Sequence, residues 1–132
     1  MDIRPISPHF AGHEVECRCG CGFLVIVPKL LDAMEICRAL AQKPIHVNSW
    51  CRCRKHNEKV GGEPDSQHLH GLAVDWRVDG FTPEMLYKIA QTVSVFRYGG
   101  IGVYDTFIHT DVKSGGPRRW GPRWKPGMGD NA

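Results

Sequence analysis

The sequence has 132 residues, of which 42% are hydrophobic and 23% are charged, and its formal net charge is +3 at pH 7. This length suits one domain around one core, so we expect a single domain over residues 1–132. The composition excludes a disordered chain, which would hold fewer aromatic and branched residues. The net charge is too small to indicate a nucleic-acid partner.

No segment of the sequence predicts export or membrane insertion. The N-terminal residues, MDIRPISPHF, lack the basic and apolar regions of a signal peptide. No apolar run approaches the roughly 18 residues that a membrane span needs. We therefore expect a soluble protein without an export signal of its own. We also expect it to be a monomer.

The first predicted element in the chain is a helix over residues 28–42. Pro28 suits its first turn, and the apolar residues recur at helical spacing, namely Leu30, Leu31, Met34, Cys37 and Ala41. A short strand is predicted at 45–49 (IHVNS), and the pair Gly61-Gly62 then marks a loop.

The next predicted element is a strand over residues 72–78 (LAVDWRV). Its apolar residues alternate with Ala73, Asp75 and Arg77, so Asp75 points away from the apolar face. Thr82 and Pro83 then open a second helix, whose buried stripe comprises Leu86, Ile89, Ala90 and Val93.

The last predicted elements are two strands, GIGVY and FIHTDV, joined by Asp105 and Thr106 as a hairpin. Phe107, His109 and Asp111 share one face of the second strand. From about residue 113 we expect an irregular tail whose Trp and Arg residues strap it to the domain rather than bind an anionic polymer. Together the elements predict an α+β fold, with a small antiparallel sheet and flanking helices.

The histidines and aspartates of these strands predict a metal site. Catalytic zinc takes three protein ligands and leaves one position open for water. Asp75 and His109 qualify, because each lies on the polar face of a predicted strand. The third ligand is His68 or His70, and the residues alone do not choose between them, since an extended HLH segment places both rings on one side. Gly71 lets the chain bend back towards Asp75.

The six cysteines are many for a chain of this length. Five of them occur at Cys-x-Cys spacing: Cys17, Cys19, Cys21, Cys51 and Cys53. Structural zinc sites usually use Cys-x-x-Cys, so this spacing favours reduced or partly paired cysteines first, a disulfide second and a bound metal last. Cys37 lies on the apolar stripe of the first helix and is interpreted as a buried hydrophobe.

One segment of the sequence resembles a known family. Ser66-x-His68-x-x-Gly71-x-Ala73-x-Asp75 is similar to the signature of the zinc D-alanyl-D-alanine carboxypeptidases and related endolysin peptidases, whose fold is shared with the hedgehog signalling domain. VNSWCRCRKHNEKVGG upstream and GGIGVYDTFIHTDV downstream are similar to further family segments. The resemblance covers about residues 45–120 and implies a fold of the hedgehog/DD-peptidase type.

The resemblance also implies roles for individual residues. His68 rather than His70 takes the place of the first zinc ligand, followed by Asp75 and His109, while Arg52 takes that of the arginine that contacts substrate. Zinc held by two imidazoles and one carboxylate keeps a net positive charge, polarises an amide oxygen and lowers the pKa of bound water towards roughly 7.

The resemblance does not identify the general base. Many family members carry an acidic residue three positions before the last histidine, where this chain has Thr106. Asp111, on the strand face of His109, is the favoured base, and Asp105 at the hairpin turn is the alternative. The competing role for Asp111 is to orient a zinc-bound histidine.

The function expected on these grounds is a zinc metallopeptidase that hydrolyses D-amino-acid-containing bonds of peptidoglycan stem peptides or cross-links. Such an enzyme acts on the bacterial cell wall, as a carboxypeptidase or as a phage-type endopeptidase that is released or delivered by other machinery. The alternative is a non-catalytic, zinc-stabilised binding module of the same fold.

Overall fold

A computed structural model of the protein describes residues 3–128. The helices in this range are α1 (Gly12–Val15), α2 (Pro28–Ala41), α3 (Arg54–Lys59), α4 (Pro83–Thr92) and α5 (Ser94–Arg97). The strands are β1 (Pro5–Ser7), β2 (Phe10–Ala11), β3 (Ile45–Ser49), β4 (Ala73–Val78), β5 (Gly100–Val103), β6 (Ile108–Asp111) and β7 (Arg118–Trp120). A 3-10 turn, Gln67–His70, precedes β4. Within the described range, every helix is too short or too polar to cross a membrane.

The main sheet has five strands in the order β3-β4-β6-β5-β7. Neighbouring strands are antiparallel except β7, which runs parallel to β5. The predicted α+β class is confirmed, but the sheet is mixed rather than antiparallel and the tail is not wholly irregular. The sequence could not predict β7, because a strand of three residues is too short to show an alternating pattern.

Helix α2 supplies much of the core, as its periodicity predicts. Pro28 occupies the first turn, where its missing N–H costs no hydrogen bond. The helix ends at Gln42, which adopts the left-handed conformation with φ of 58°. Its inward residues include Leu30, Met34 and Cys37, which are fully buried.

Helix α4 begins where the sequence predicts. The side chain of Thr82 accepts a hydrogen bond from the N–H of Met85 at 3.2 Å and so satisfies one of the free donors of the first turn. Leu86 and Ala90 are buried on its inner face. The helix packs against α2 and the sheet, which closes the apolar side of β4.

Strand β4 lies near the middle of the sheet, and its alternation separates core from site. Val74, Trp76 and Val78 belong to the buried apolar cluster. Asp75 points to the opposite face and is directly opposite His109 of β6 in the strand register. The pairing of these two strands therefore brings the two predicted ligands together.

The segment before α2 forms structure that the sequence did not predict. Strands β1 and β2 pair as a small antiparallel sheet. Glu35 of α2 holds this hairpin, because its carboxylate accepts hydrogen bonds from Ser7 Oγ at 2.6 Å and from the His9 N–H at 2.8 Å. The His9 ring nitrogen Nδ1 lies 2.6 Å from the same carboxylate.

Candidate metal centre and active-site cleft

The 3-10 turn points His68 and His70, the two candidates for the third ligand, in different directions. Ser66 Oγ accepts the N–H of His68 at the start of the turn, and Gly71, with φ of 67°, ends it. Residues two positions apart in such a turn differ by about 240° in direction, unlike those in an extended chain. His68 is consequently 2% exposed, whereas His70 faces solvent.

His68, Asp75 and His109 converge on one point beside β4. The Nδ1 atom of His109 lies 2.9 Å from Asp75 Oδ1, and the Nε2 atom of His68 lies 3.2 Å from the same oxygen. The two imidazole rings are edge to face, with centroids 5.3 Å apart. One donor atom from each of the three residues falls within 4.8 Å of the others.

The state of His68 Nε2 tests whether these residues suit a metal ion. His68 Nδ1 contacts the carbonyl oxygen of Trp50 at 2.7 Å, and because a carbonyl only accepts, the neutral ring carries its proton there. Nε2 then presents a lone pair, yet it is buried without a hydrogen-bond partner among the described residues. A buried lone pair beside a carboxylate and a second imidazole fits a zinc ligand set.

The pKa values of Asp75 and His109 are shifted by burial and by the neighbouring side chains. Burial alone would raise the pKa of Asp75, but its hydrogen bond from His109 and the nearby His68 ring hold that pKa well below its usual range. Burial alone would lower the pKa of His109, but Asp111 and Asp75 together raise it. The lowered pKa keeps Asp75 as a carboxylate, which is the form that binds a cation.

Asp111 lies on the far side of the His109 ring from Asp75. Its Oδ2 atom is 2.9 Å from His109 Nε2, and its Oδ1 atom accepts the N–H groups of Gly100 and Lys113, each at 3.2 Å. Arg118 donates to both oxygens. Burial opposes ionisation, but His109 and Arg118 outweigh it and lower the pKa of Asp111 to about 2. A side chain on Gly100 would overlap this carboxylate.

Arg52 is aligned by three side chains. Its Nε donates to Ser49 Oγ at 3.0 Å, its Nη1 to Asn57 Oδ1 at 3.1 Å and its Nη2 to Asp75 Oδ2 at 3.2 Å. A Cβ atom on Gly62 would overlap Asn57 and press on Arg52. The second glycine of the Gly61-Gly62 pair is therefore required by close packing, while the first adopts φ of 74°.

The ligand set opens into a cleft with a volume of about 570 Å³. The sequence-predicted residues Arg52, His68, Asp75, His109 and Asp111 all line it. Asp105 does not line it and is exposed at the hairpin turn.

The tail contributes cleft residues that the sequence did not identify. Trp120 of β7 packs its ring 5.1 Å from that of His109 and donates through Nε1 to the Tyr104 hydroxyl at 2.7 Å. Gly102 leaves room for this ring, since a Cβ there would overlap Trp120. Arg118 also lines the cleft. The glycines of the GIG segment could have indicated these contacts, because a glycine within a strand often marks the close approach of another part of the chain.

The sequence matches a known protein family. Residues 8–111 match the profile of a family described as Peptidase M15. This span is more than half of the chain and includes each residue that the sequence placed in the site. In a comparison with curated proteins, no protein is similar enough to count as a match.

Proposed function

The chain belongs to the Peptidase M15 family, and from this premise we propose that it is a zinc-dependent peptidase of bacterial cell-wall peptidoglycan. Membership supports a metallopeptidase, and the proposal adds the metal, the substrate and the roles of the residues. The observation that carries it is the buried Nε2 of His68, which has no hydrogen-bond partner in the described part of the chain and is directed at the point where Asp75 and His109 also meet. That point opens on the cleft.

His68, Asp75 and His109 are the residues that would hold zinc. When bound there, zinc supplies a Lewis acid that polarises the scissile amide and makes water more acidic. The protein's own contribution is orientation, since Trp50 fixes the ring of His68 and Asp111 fixes that of His109.

The donors that Arg52 leaves free support a substrate with a free carboxylate. Arg52 lines the cleft, whose other charged residues include both cations and carboxylates. The Arg52 guanidinium has five N–H donors, and its three hydrogen bonds leave others for a carboxylate of a D-amino-acid-containing stem peptide. We propose that Arg52 binds the substrate in this way.

Asp111 has a better-supported role as a positioning residue than as a general base. Its oxygens are occupied by His109, Arg118 and two backbone N–H groups, and it touches the ring nitrogen that faces away from Asp75. A base must reach the attacking water with a free oxygen. Glu63 and Asp65 are exposed carboxylates lining the cleft, and we propose that proton transfer falls to one of them.

Digestion of purified peptidoglycan by zinc-loaded protein tests the proposal, with His109→Ala as the inactive control. Release of free D-alanine would identify a carboxypeptidase, and newly separated stem peptides would identify an endopeptidase. Binding of peptidoglycan fragments without any hydrolysis would contradict the enzyme and favour the zinc-stabilised binding module instead.

A further inference from the structure

Four cysteine side chains converge at a second place in the fold. Cys17, Cys19 and Cys21 lie in the loop between α1 and α2, and Cys53 immediately precedes α3. All four sulfur atoms lie within 4.8 Å of one another. None of these residues lines the cleft, so the cluster is separate from the metal centre described above.

The spacing of the sulfur atoms is that of ligands around one ion. The Sγ atom of Cys19 lies 3.4 Å from that of Cys17 and 3.7 Å from that of Cys53. Four thiolates at about 2.3 Å from a tetrahedral zinc ion stand about 3.8 Å apart. A disulfide would instead require about 2.05 Å, and none of the four cysteines forms one.

The backbone around the cluster is arranged to donate hydrogen bonds to sulfur. Cys17 Sγ accepts the N–H of Cys53 at 3.3 Å, Cys21 Sγ accepts that of Phe23 at 3.4 Å and Cys53 Sγ accepts that of His56 at 3.3 Å. Donors of this kind stabilise the thiolate, which is the form that binds metal.

Two glycines explain how Cys-x-Cys spacing serves one centre. Gly20 and Gly22 adopt φ of 85° and 86°, which folds the loop so that alternate thiols turn inward. A regular chain at this spacing presents its thiols poorly to a tetrahedral ion, which is why the sequence ranked a bound metal last. Cys53 then completes the set from a distant part of the chain.

We propose that Cys17, Cys19, Cys21 and Cys53 bind one structural zinc ion, each thiol releasing its proton on binding. Four protein ligands close the coordination shell and leave no position for water, so the ion is structural rather than catalytic. Tetrahedral coordination by four thiolates favours zinc over the hard cations Mg²⁺ and Ca²⁺, which prefer oxygen ligands.

The other two cysteines, Cys37 and Cys51, lie outside the cluster. Cys37 is fully buried in α2. Cys51 is also fully buried, and its sulfur contacts the backbone of Val25, with the Val25 N–H donating at 3.4 Å.

The proposed ion would brace one wall of the cleft. Cys53 follows Arg52 in the chain, and the Arg52 N–H donates to the carbonyl of His68 at 3.0 Å. Zinc would therefore tie the N-terminal loop to the segment that holds Arg52 and His68. This consequence rests on the proposed function, whereas the metal site itself does not.

Metal analysis of the full chain tests the site directly. The wild type should contain about two zinc ions per chain, and the double variant Cys19→Ser, Cys21→Ser should contain about one. Both substituted residues are exposed, so the change removes ligands and little packing. Cys37→Ala, which removes a thiol outside the cluster, should keep both ions.

Replacing zinc with cobalt allows the thiolate ligands to be detected by absorption, independently of enzymatic activity. The cobalt-loaded wild type should show the near-ultraviolet charge-transfer absorption of thiolate ligands, and the His68→Ala, His109→Ala double variant should retain it. The Cys19→Ser, Cys21→Ser variant should lose it. A wild type with one zinc ion and no thiolate absorption would overturn the proposal, as would a disulfide between any two of the four cysteines in the metal-loaded protein.

Discussion

Each histidine of the metal centre is held through the ring nitrogen that faces away from Asp75. His68 uses Nδ1 towards the carbonyl of Trp50, and His109 uses Nε2 towards the carboxylate of Asp111. Such outer partners set the tautomer and the direction of the ring, and thereby the affinity for metal. The inner nitrogens, His68 Nε2 and His109 Nδ1, are left for the ion.

Asp111→Asn should weaken zinc binding by something like tenfold or more, because the amide orients the His109 ring less firmly. Excess zinc should then restore much of the turnover. The measurement is zinc affinity and peptidoglycan hydrolysis for the same preparation.

Asp105→Asn is the matched control, since this aspartate is exposed and lies outside the cleft. It should leave both quantities near the wild-type values. If Asp111→Asn instead kept full zinc occupancy and lost about two or more orders of magnitude in turnover, Asp111 would be the base.

Strand alternation identifies Asp75 and His109, because a period of two fixes the face of each side chain. It does not distinguish His68 from His70, because their directions depend on a 3-10 turn of four residues that no periodic pattern reveals. The resemblance to a family favoured His68, and the structure buries that residue.

At the scale of elements, β7 links the tail to the site. Arg119 holds this strand by donating to Gln91 Oε1 at 2.6 Å, to the Tyr87 hydroxyl at 3.2 Å and to nearby carbonyls. Arg123 makes a two-pronged ion pair with Glu84 at 2.8 and 2.7 Å. These contacts agree with the predicted strapping of the tail to the domain.

Arg119→Ala should lower the free energy of unfolding by about 1.5–3 kcal/mol, because several acceptors lose a charged donor. Arg123→Ala should cost under about 1 kcal/mol, since both partners of its ion pair are more than one-third exposed. Urea unfolding of the two variants makes the comparison. Equal losses would mean that β7 is not anchored through Arg119.

The N-terminal hairpin is attached to α2 through Glu35. Burial of this carboxylate would raise its pKa, but hydrogen bonds from Ser7 and His9 outweigh that effect and lower the pKa below its ordinary value of 4.5. A depressed pKa in the folded state means that the stabilisation is present above the unfolded value and is lost as the pH falls through the folded one.

The wild type should therefore lose stability below pH 4.5 more steeply than Glu35→Gln, whose amide does not titrate. Urea unfolding at a series of acidic pH values measures this difference. Curves that fall in parallel for the two proteins would show that Glu35 makes no pH-dependent contribution.

The elements that the sequence predicted are those with their own internal pattern. Helices α2 and α4 show apolar residues at helical spacing and good starting residues. Helix α3 and strand β7 are short and polar, and they form through partners elsewhere in the chain. Their existence depends on tertiary contacts, which a local pattern does not carry.

Across the whole molecule, the cleft is assembled from distant segments. Arg52 precedes the 3-10 turn, His68 belongs to it, Asp75 and His109 come from paired strands, and Trp120 comes from the tail. The cysteine cluster lies outside the cleft and would hold the Arg52 segment in place. The ligand set of the cleft therefore forms only when the segments that carry His68, Asp75 and His109 have packed together.

The most direct test of the account is the zinc content of three purified variants, measured beside the wild type. His68→Ala and His109→Ala should each contain about one zinc ion per chain fewer than the wild type, because each loses a ligand of the cleft centre. His70→Ala, which changes an exposed histidine of the same turn, should match the wild type. Unchanged zinc content in both His68→Ala and His109→Ala would contradict the assignment of the metal centre.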